Sequence, residues 1–276
     1  MRVVLTDVRA QLVVSTSRRP ASAFCVLGAG ESKQGQRALA RLLHRALAGS
    51  AYGELPCYRS TDDIVAGDVS HLAAVPEQGS PLLITATIAG ELVAAFWGYG
   101  LGAAPLQVRE GLRAELAHTA GREAAALDRL GVGDAARASR AQIGRLHTML
   151  AAPHLEVFYA DWIAVDPAFR GRGLARLLWS LGLEQALTSP QFTAYVSRTI
   201  GQRRALLERF YCEEIGARAY LAWEDDGLQR IAFGGARCEA LTRALMRACA
   251  GLIRADTGAT PQLVIGTDRK RSPPPG

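Results

Sequence analysis

Arg170, Gly171, Arg172 and Gly173 stand between an apolar run and a leucine-rich one, within FYADWIAVDPAFRGRGLARLLW from Phe158 to Trp179. An apolar strand, a turn of that composition and a helix start together suit the capture of a phosphorylated ligand. The first turn of a helix carries N–H groups without intrahelical acceptors, and its partial positive charge favours an anion on the axis. Gly171 and Gly173 remove side chains that would keep a ligand off the backbone, while Arg170 and Arg172 supply charged donors. Leu174, Leu177, Leu178 and Leu181 then recur at helical spacing, and Ser189-Pro190 ends the helix. The same residues can make a plain surface turn, but the strand before and the helix after argue for more. Neither a GxGxxG dinucleotide fingerprint nor a GxxxxGK[ST] loop is present. LGAGES, Leu27 to Ser32, lacks a third glycine and reads as a strand-to-helix turn.

The run VDPAFRGRGLARLL resembles the acetyl-CoA signature of the GNAT superfamily of N-acetyltransferases, [QR]xxGx[GA], with Arg170, Gly173 and Ala175 at the fixed positions. The likeness continues through QFTAYVS and QRRALLERFYCEEIGA, over about 60 residues in all. The resemblance implies an α/β (α+β) fold, a GNAT-like mixed and mostly antiparallel central sheet flanked by helices. It implies acetyl-CoA as acyl-donor cosubstrate, held by Arg170, Gly171, Arg172, Gly173, Leu174 and Ala175 and by strand backbone freed at Ile163, Ala164 and Val165. The implied activity is an N-acyltransferase in which a neutral primary amine attacks the thioester directly, with no acyl-enzyme. A small-molecule amine is the expected acceptor. A protein or peptide N-terminus is the enzymatic alternative, and a non-catalytic acyl-CoA-binding regulatory module is the alternative outside catalysis.

An amine is mostly protonated at neutral pH, so a base must take its proton. Asp161, on the cofactor strand four residues before Val165, is the first candidate, about where the resemblance places an acidic residue. Strand alternation predicts Asp161, Ile163 and Val165 on one face. Glu156 is the second candidate, and a structural ion pair with an arginine is the other use of Asp161. Tyr211 is the candidate acid for the departing thiolate by resemblance, although four residues, Cys212 to Ile215, separate it from Gly216 where the family has three. A core aromatic is its other reading. Cys212 faces another side of that helix and is not read as a nucleophile. His44, His71, His118, His147 and His154 show no metal-ligand spacing, so no metal is expected; His147 or His154 are candidates to line the acceptor pocket.

A chain of 276 residues with 49% hydrophobic composition can bury a sizeable core. The expected organisation is an N-terminal extension over 1–20, a transferase domain over 21–235, and a C-terminal helix with a disordered tail over 236–276. Met1 to Ser15 reads as one or two strands and Ala23 to Leu27 as another. Leu39, Leu42, Leu43 and Ala46 mark a helix with Ser32 as N-cap and Gly49 as stop, and a shorter helix follows Thr61. Leu83 to Ile88 and Leu92 to Tyr99 form a hairpin around Ala89-Gly90. Ala103 to Pro153, where the family has a short link, is read as an inserted helical hairpin: Val108, Leu112 and Leu116 fall on one face, Ile143, Leu146 and Leu150 on another. Phe192 to Ser197 is a strand, Thr199-x-x-Gln202 a capping box, and Arg218 to Trp223 with Gln229 to Phe233 a last hairpin that completes the sheet.

The formal charge of +6 and pI near 9.3 suit an anionic ligand but show no concentrated basic stripe, so nucleic acid is not expected as a partner. Leu82 to Leu106 is broken by Glu91 and several glycines, which favours a hairpin over a membrane span. Five cysteines without a CxxC pair suit a reducing cytoplasm, and no signal peptide is read. The expected partners are acyl-CoA and an amine, with homodimerisation through the insertion or the C-terminal helix left open.

Overall fold

The computed structural model describes residues 2–6, 11–50, 52–105, 109–110, 157–200, 209–217, 219–225, 228–235, 238, 241–248 and 264–266. The inserted hairpin beyond residue 110, Glu156, His118, His147 and His154 therefore lie outside the described residues, as do the capped helix at 201–208 and the terminal tail beyond 266.

The chain forms a mixed α/β structure on a nine-stranded sheet in the order β7-β8-β6-β5-β4-β3-β2-β1-β9. The strands are β1 (Arg2–Thr6), β2 (Gln11–Ser17), β3 (Leu82–Ile88), β4 (Glu91–Gly100), β5 (Val157–Val165), β6 (Ala194–Ile200), β7 (Ala219–Asp225), β8 (Leu228–Gly235) and β9 (Val264–Gly266). Every neighbouring pair is antiparallel except β5 and β6. The expected hairpin is present: Ala89 (φ 50°) and Gly90 (φ 83°) make a two-residue turn in the left-handed region, which matches the twist of the strands it joins.

Each face of the sheet is covered. On one lie α1 (Pro20–Leu27), α2 (Ser32–Leu47), and the irregular helix formed by α3 (Thr61–Ile64), a π segment (Val65–Val69) and α4 (Ser70–Ala74). They pack with Leu83, Ala95, Trp97, Tyr99, Tyr159 and Ala164. On the other lies α5 (Leu174–Leu187), packed with Ile84, Phe96, Phe158 and Ala160. The leucine stripe of α5 is buried as expected, but Trp179, Ser180, Gly182 and Leu183 are buried too. The cause is a second cover: helical residues 241–248 bring Leu241 and Ala248 into the same core, and Thr242 Oγ1 reaches Glu184 at 3.4 Å. Gly182 lets the Phe96 ring lie directly on the helix, since a Cβ there would stand 2.2 Å from it.

Five expectations are corrected. Ala23 to Leu27 belongs to α1, not to a strand: Pro20 occupies the first turn, where its missing N–H costs nothing, and Phe24 is fully buried. LGAGES is accordingly a helix-to-helix turn, with Ala29 (φ 50°) and Gly30 (φ 104°) reversing the chain. The N-cap of α2 is Glu31 rather than Ser32, and Thr199 lies in β6 opposite Ile231. The sheet does not end with β8, because Val264–Gly266, between the expected C-terminal helix and the DRKRSPPPG tail, pairs with β1.

Candidate active site

After β5, Asp166 fixes the start of the loop. Its Oδ1 accepts from the Ala168 N–H at 3.0 Å and its Oδ2 from Arg45 Nε at 2.8 Å. Burial works to raise its pKa, but the Ala168 N–H and the Arg45 guanidinium outweigh that and hold the carboxyl below the usual range. Arg170 Nη2 donates to the Ala46 carbonyl at 2.6 Å, so this arginine braces the loop on the end of α2. Gly171 (φ 78°) and Gly173 (φ 79°) both take the left-handed conformation that side chains resist, and Gly173 caps α5. The first helical bond runs from Leu177 N–H to Gly173 C=O. Among the described residues, the N–H groups of Gly171 through Arg176 find no acceptor.

That loop opens on a cleft of about 500 Å³ lined by Gly171, Arg172, Gly173, Arg176, Ser180 and residues of the 209–214 and 244–248 segments. Arg172 lies over the Phe169 ring at 5.2 Å, and Arg176 pairs with Glu214 at 3.1 Å. Of the expected loop residues, Gly171, Arg172 and Gly173 line this cleft; the Leu174 side chain is buried in the core.

Beside the loop the sheet splits. β5 and β6 pair only over Val157–Tyr159 and Ala194–Val196, after which β5 continues on β4 and β6 continues on β8. Ser197 Oγ donates to the Ala160 carbonyl at 2.6 Å and closes the apex of the wedge. From Asp161 to Val165, β5 thus has a ladder on its β4 side alone, and this stretch contains Ile163, Ala164 and Val165.

A bulge decides where Asp161 points. Trp97 pairs with Trp162 but Gly98 pairs with Ala160, which leaves Asp161 as the extra residue. The expected shared face of Asp161, Ile163 and Val165 is therefore wrong. Ile163 and Val165 pack toward α5, whereas Asp161 turns to the other face, where Tyr99 Oη donates to its Oδ2 at 2.7 Å and Tyr99 and Trp162 belong to the core under α2.

The surroundings of Asp161 are aromatic and acidic. Tyr52, Tyr58 and Trp162 contact one another edge-on with centroids 5.1 to 6.2 Å apart, and His71 meets Tyr99 at 5.2 Å. His71 also shares a 3.1 Å hydrogen bond between Nε2 and the Ala103 carbonyl. Arg198 Nε donates to Tyr159 Oη at 3.3 Å. Burial, then the nearby Asp68 charge, push the Asp161 pKa up to about 7 against the Tyr99 hydroxyl, Arg198 and Trp97. Asp68 is raised as well, by burial, against Tyr58, His71, Trp162 and Arg198. Burial and the same carboxylates lift the Tyr58, Tyr99 and Tyr159 hydroxyls above their ordinary value. Two buried polar atoms here lack hydrogen-bond partners of ordinary geometry, Asp68 Oδ2 and Trp97 Nε1. The Asp161 and Asp68 carboxylates, with the Asp161 pKa near 7, and the aromatic rings beside them form a cluster that can attract an amine and accept its proton.

Tyr211 sits in a π turn, Arg209–Glu214, closed by Ile215 N–H to Phe210 C=O at 3.1 Å and Ala217 N–H to Tyr211 C=O at 2.8 Å. One extra residue per turn is what a π turn absorbs, and this accounts for the longer spacing from Tyr211 to Gly216. The ring is buried, stacked on Phe233 at 3.6 Å, and joins the core that Ile163 and Val165 pack against. The structure thus packs the Tyr211 ring in the core and sets it on the face of β5 opposite Asp161.

Sequence reasoning missed Asp68, Tyr99, His71, Tyr58 and Trp162 as site residues, and Arg209, Arg247 and Ser180 as parts of the cleft. The bulge and the irregular helix bring these together, and neither leaves a spacing pattern. Among the described residues, no group of three His, Cys, Asp or Glu is placed to hold a metal. No helix of the described residues is long and apolar enough to cross a membrane.

No family model matches the chain, and no curated protein does. Solved structures to which it is similar include GNAT-family acetyltransferases. The acetyltransferase of the GNAT family from Streptococcus pneumoniae is 9% identical, with 82% of this chain and 99% of that one covered and a TM-score of 0.44. For yncA of Salmonella typhimurium, solved with its cofactor acetyl-CoA, the identity is 11%, the coverage 83% and 95%, and the TM-score 0.44. For the ribosomal-protein-S18-alanine N-acetyltransferase of Escherichia coli they are 11%, 81% and 92%, and 0.41. At such identities and scores the functional weight stays on the loop, the wedge and the carboxylate cluster.

Proposed function

We propose that this protein is an acetyl-CoA-dependent N-acetyltransferase of the GNAT type that acylates a primary amine of a small molecule. The observation that carries the reading is the run of N–H groups from Gly171 to Arg176 that find no acceptor among the described residues, on the arginine-lined cleft at the start of α5. The wedge beside β5 and the buried Asp161 carboxylate with its pKa near 7 support it.

In this mechanism the diphosphate of the donor lies on the loop amides of Gly171, Arg172, Gly173, Leu174 and Ala175, with Arg172 as charged donor and Arg170 as the brace that holds the loop. The donor's arm runs into the wedge, where backbone at Ile163, Ala164 and Val165 binds it. Asp161, ionised above pH 7, takes a proton from the amine, and the neutral nitrogen attacks the thioester carbon. A strand N–H already fixed near the thioester oxygen stabilises the negative charge that develops without reorganising. The C–S bond then breaks as the carbonyl re-forms, the thiolate takes a proton from Tyr211, the nitrogen sheds its second proton to leave the neutral amide, and that proton, passed through solvent, restores the Tyr211 hydroxyl. Base and acid on opposite faces of β5 let the amine enter from one side while the thiol leaves from the other. The aromatic walls and the Asp68 carboxylate favour an acceptor that arrives as a cation.

The test is thiol release from acetyl-CoA across a panel of small amines and peptides, with wild type, Asp161→Asn and Tyr211→Phe. Turnover on a small amine that falls at least about a hundredfold in Asp161→Asn, with acetyl-CoA binding retained, supports the reading. Turnover on peptides alone moves the acceptor to a protein N-terminus. Tight acetyl-CoA binding with no turnover on any amine leaves a binding module. Tyr211→Phe keeps the stack on Phe233, so a drop of about tenfold or more in kcat identifies the hydroxyl as the acid, and an unchanged kcat returns Tyr211 to packing alone.

A further inference from the structure

The cleft below the loop gathers arginines from beyond the signature loop. Four arginines line it from separate segments: Arg172 and Arg176 from the loop and α5, Arg209 from the π turn, and Arg247 from the helical residues 241–248. Two are compensated, Arg176 by Glu214 at 3.1 Å and Arg209 by Glu213 at 3.8 Å. Arg172 and Arg247 have no carboxylate partner among the described residues. Ser180 also lines the cleft; the residue is fully buried, yet its Oγ has no hydrogen-bond partner.

These groups divide into two anchor points. The loop amides and Arg172 form the first, on the start of α5, and they suit one anionic group on the helix axis. Arg247, which shares the cleft with Arg209, forms the second on a different element. A ligand with a single diphosphate engages the first point and leaves the second idle. A nucleotide that carries another phosphate on its ribose has a second dianion set apart from the diphosphate, and it can engage both.

We propose that Arg247, assisted by Arg209, holds the 3′-phosphate of the CoA nucleotide, so that the C-terminal helix makes this protein prefer 3′-phosphorylated acyl-CoA over its dephospho form. The inference rests on the acyl-CoA reading and goes beyond it by naming a specificity-determining residue outside the signature loop. An exposed arginine on a phosphate makes a charge-assisted contact that salt screens, so its effect is moderate and falls as ionic strength rises.

Calorimetric titration with acetyl-CoA, acetyl-dephospho-CoA and adenosine 3′,5′-bisphosphate tests it on wild type, Arg247→Ala and Arg247→Lys. Wild type is expected to bind acetyl-CoA about tenfold or more tightly than the dephospho form, and to bind the bisphosphate weakly and competitively. Arg247→Ala should remove the preference by weakening acetyl-CoA alone, with the dephospho affinity unchanged, and Arg247→Lys should keep part of it. Equal wild-type affinities for the two donors, or an Arg247→Ala variant that weakens both alike, overturn the proposal and leave the acyl-CoA reading standing. Binding of neither donor removes that reading, and this proposal falls with it.

Discussion

Asp161 owes its position to one extra residue in a strand and its basicity to burial beside a second carboxylate. Two measurements follow from a pKa near 7. First, kcat/KM should rise with pH through about 7 and then level, because only the ionised form accepts the amine proton. Tyr99→Phe removes a hydroxyl that favours the ionised form, so it should move that rise to higher pH. Second, the folded pKa lies above the unfolded one, so the stability linked to this group is full below the ordinary carboxylate range and is lost as pH climbs toward 7. Asp161→Asn, neutral throughout, should therefore gain in Tm over wild type as pH goes from 4 to 7, with no further gain above; a pH-independent gap in thermal denaturation would contradict the buried ionisation. The carboxylate was legible in the sequence as a candidate, but its face was not. Alternation sets Asp161 with Ile163, and a bulge, which has no periodic trace, separates them. Asp68 and His71 were illegible for a related reason: they arrive from an irregular helix whose π segment rotates its residues off the helical period.

Among the elements, α5 joins the loop to the core, and its two ends make different demands. At its start, Gly173 holds φ 79° and a Cβ there would meet nothing within 4 Å, so a side chain costs backbone strain rather than collision. Gly173→Val should lower stability by about 1–2 kcal/mol in urea titration. In its middle, a Cβ at Gly182 would stand 2.2 Å from the Phe96 ring. Gly182→Val should cost about 1–3 kcal/mol or more in the same assay, with the loop's own chemistry untouched; a neutral variant would mean the helix does not lie against Phe96 as described. The leucine spacing and the turn composition made α5 readable, since both are local. The burial of its back was not, because helical residues 241–248 come from far along the chain. In α1 local reading failed outright: Phe24, Cys25 and Val26 look like strand, and packing on α2 after a first-turn proline makes them helix. The spacing of Tyr211 shows the converse case, where a misfit with the family pattern was visible in the sequence and the π turn supplies its cause.

At the scale of the molecule, nine strands of the described residues form one sheet whose one parallel pair among them opens into a wedge, with the cleft at the start of α5 to one side of β5 and the Asp161 carboxylate on the other. Local patterns carried the order of elements from the hairpin through β8, since turns, periodicity and caps are short-range. The ninth strand and the second cover on α5 needed contacts between segments far apart in sequence, and no local pattern reports those. Truncation after Gly235 would bare the back of α5 and remove Arg247 from the cleft, so it should lower both Tm and acetyl-CoA affinity; loss of neither would show the C-terminal segment to be an appendage. The central claim is that the start of α5 receives the diphosphate of an acyl-CoA. Isothermal titration of the full chain with acetyl-CoA, beside Gly173→Val confirmed folded by circular dichroism, tests it most directly. The account predicts one-to-one binding by wild type and at least about a tenfold loss in the variant. No binding by wild type, or equal binding by both proteins, would contradict it.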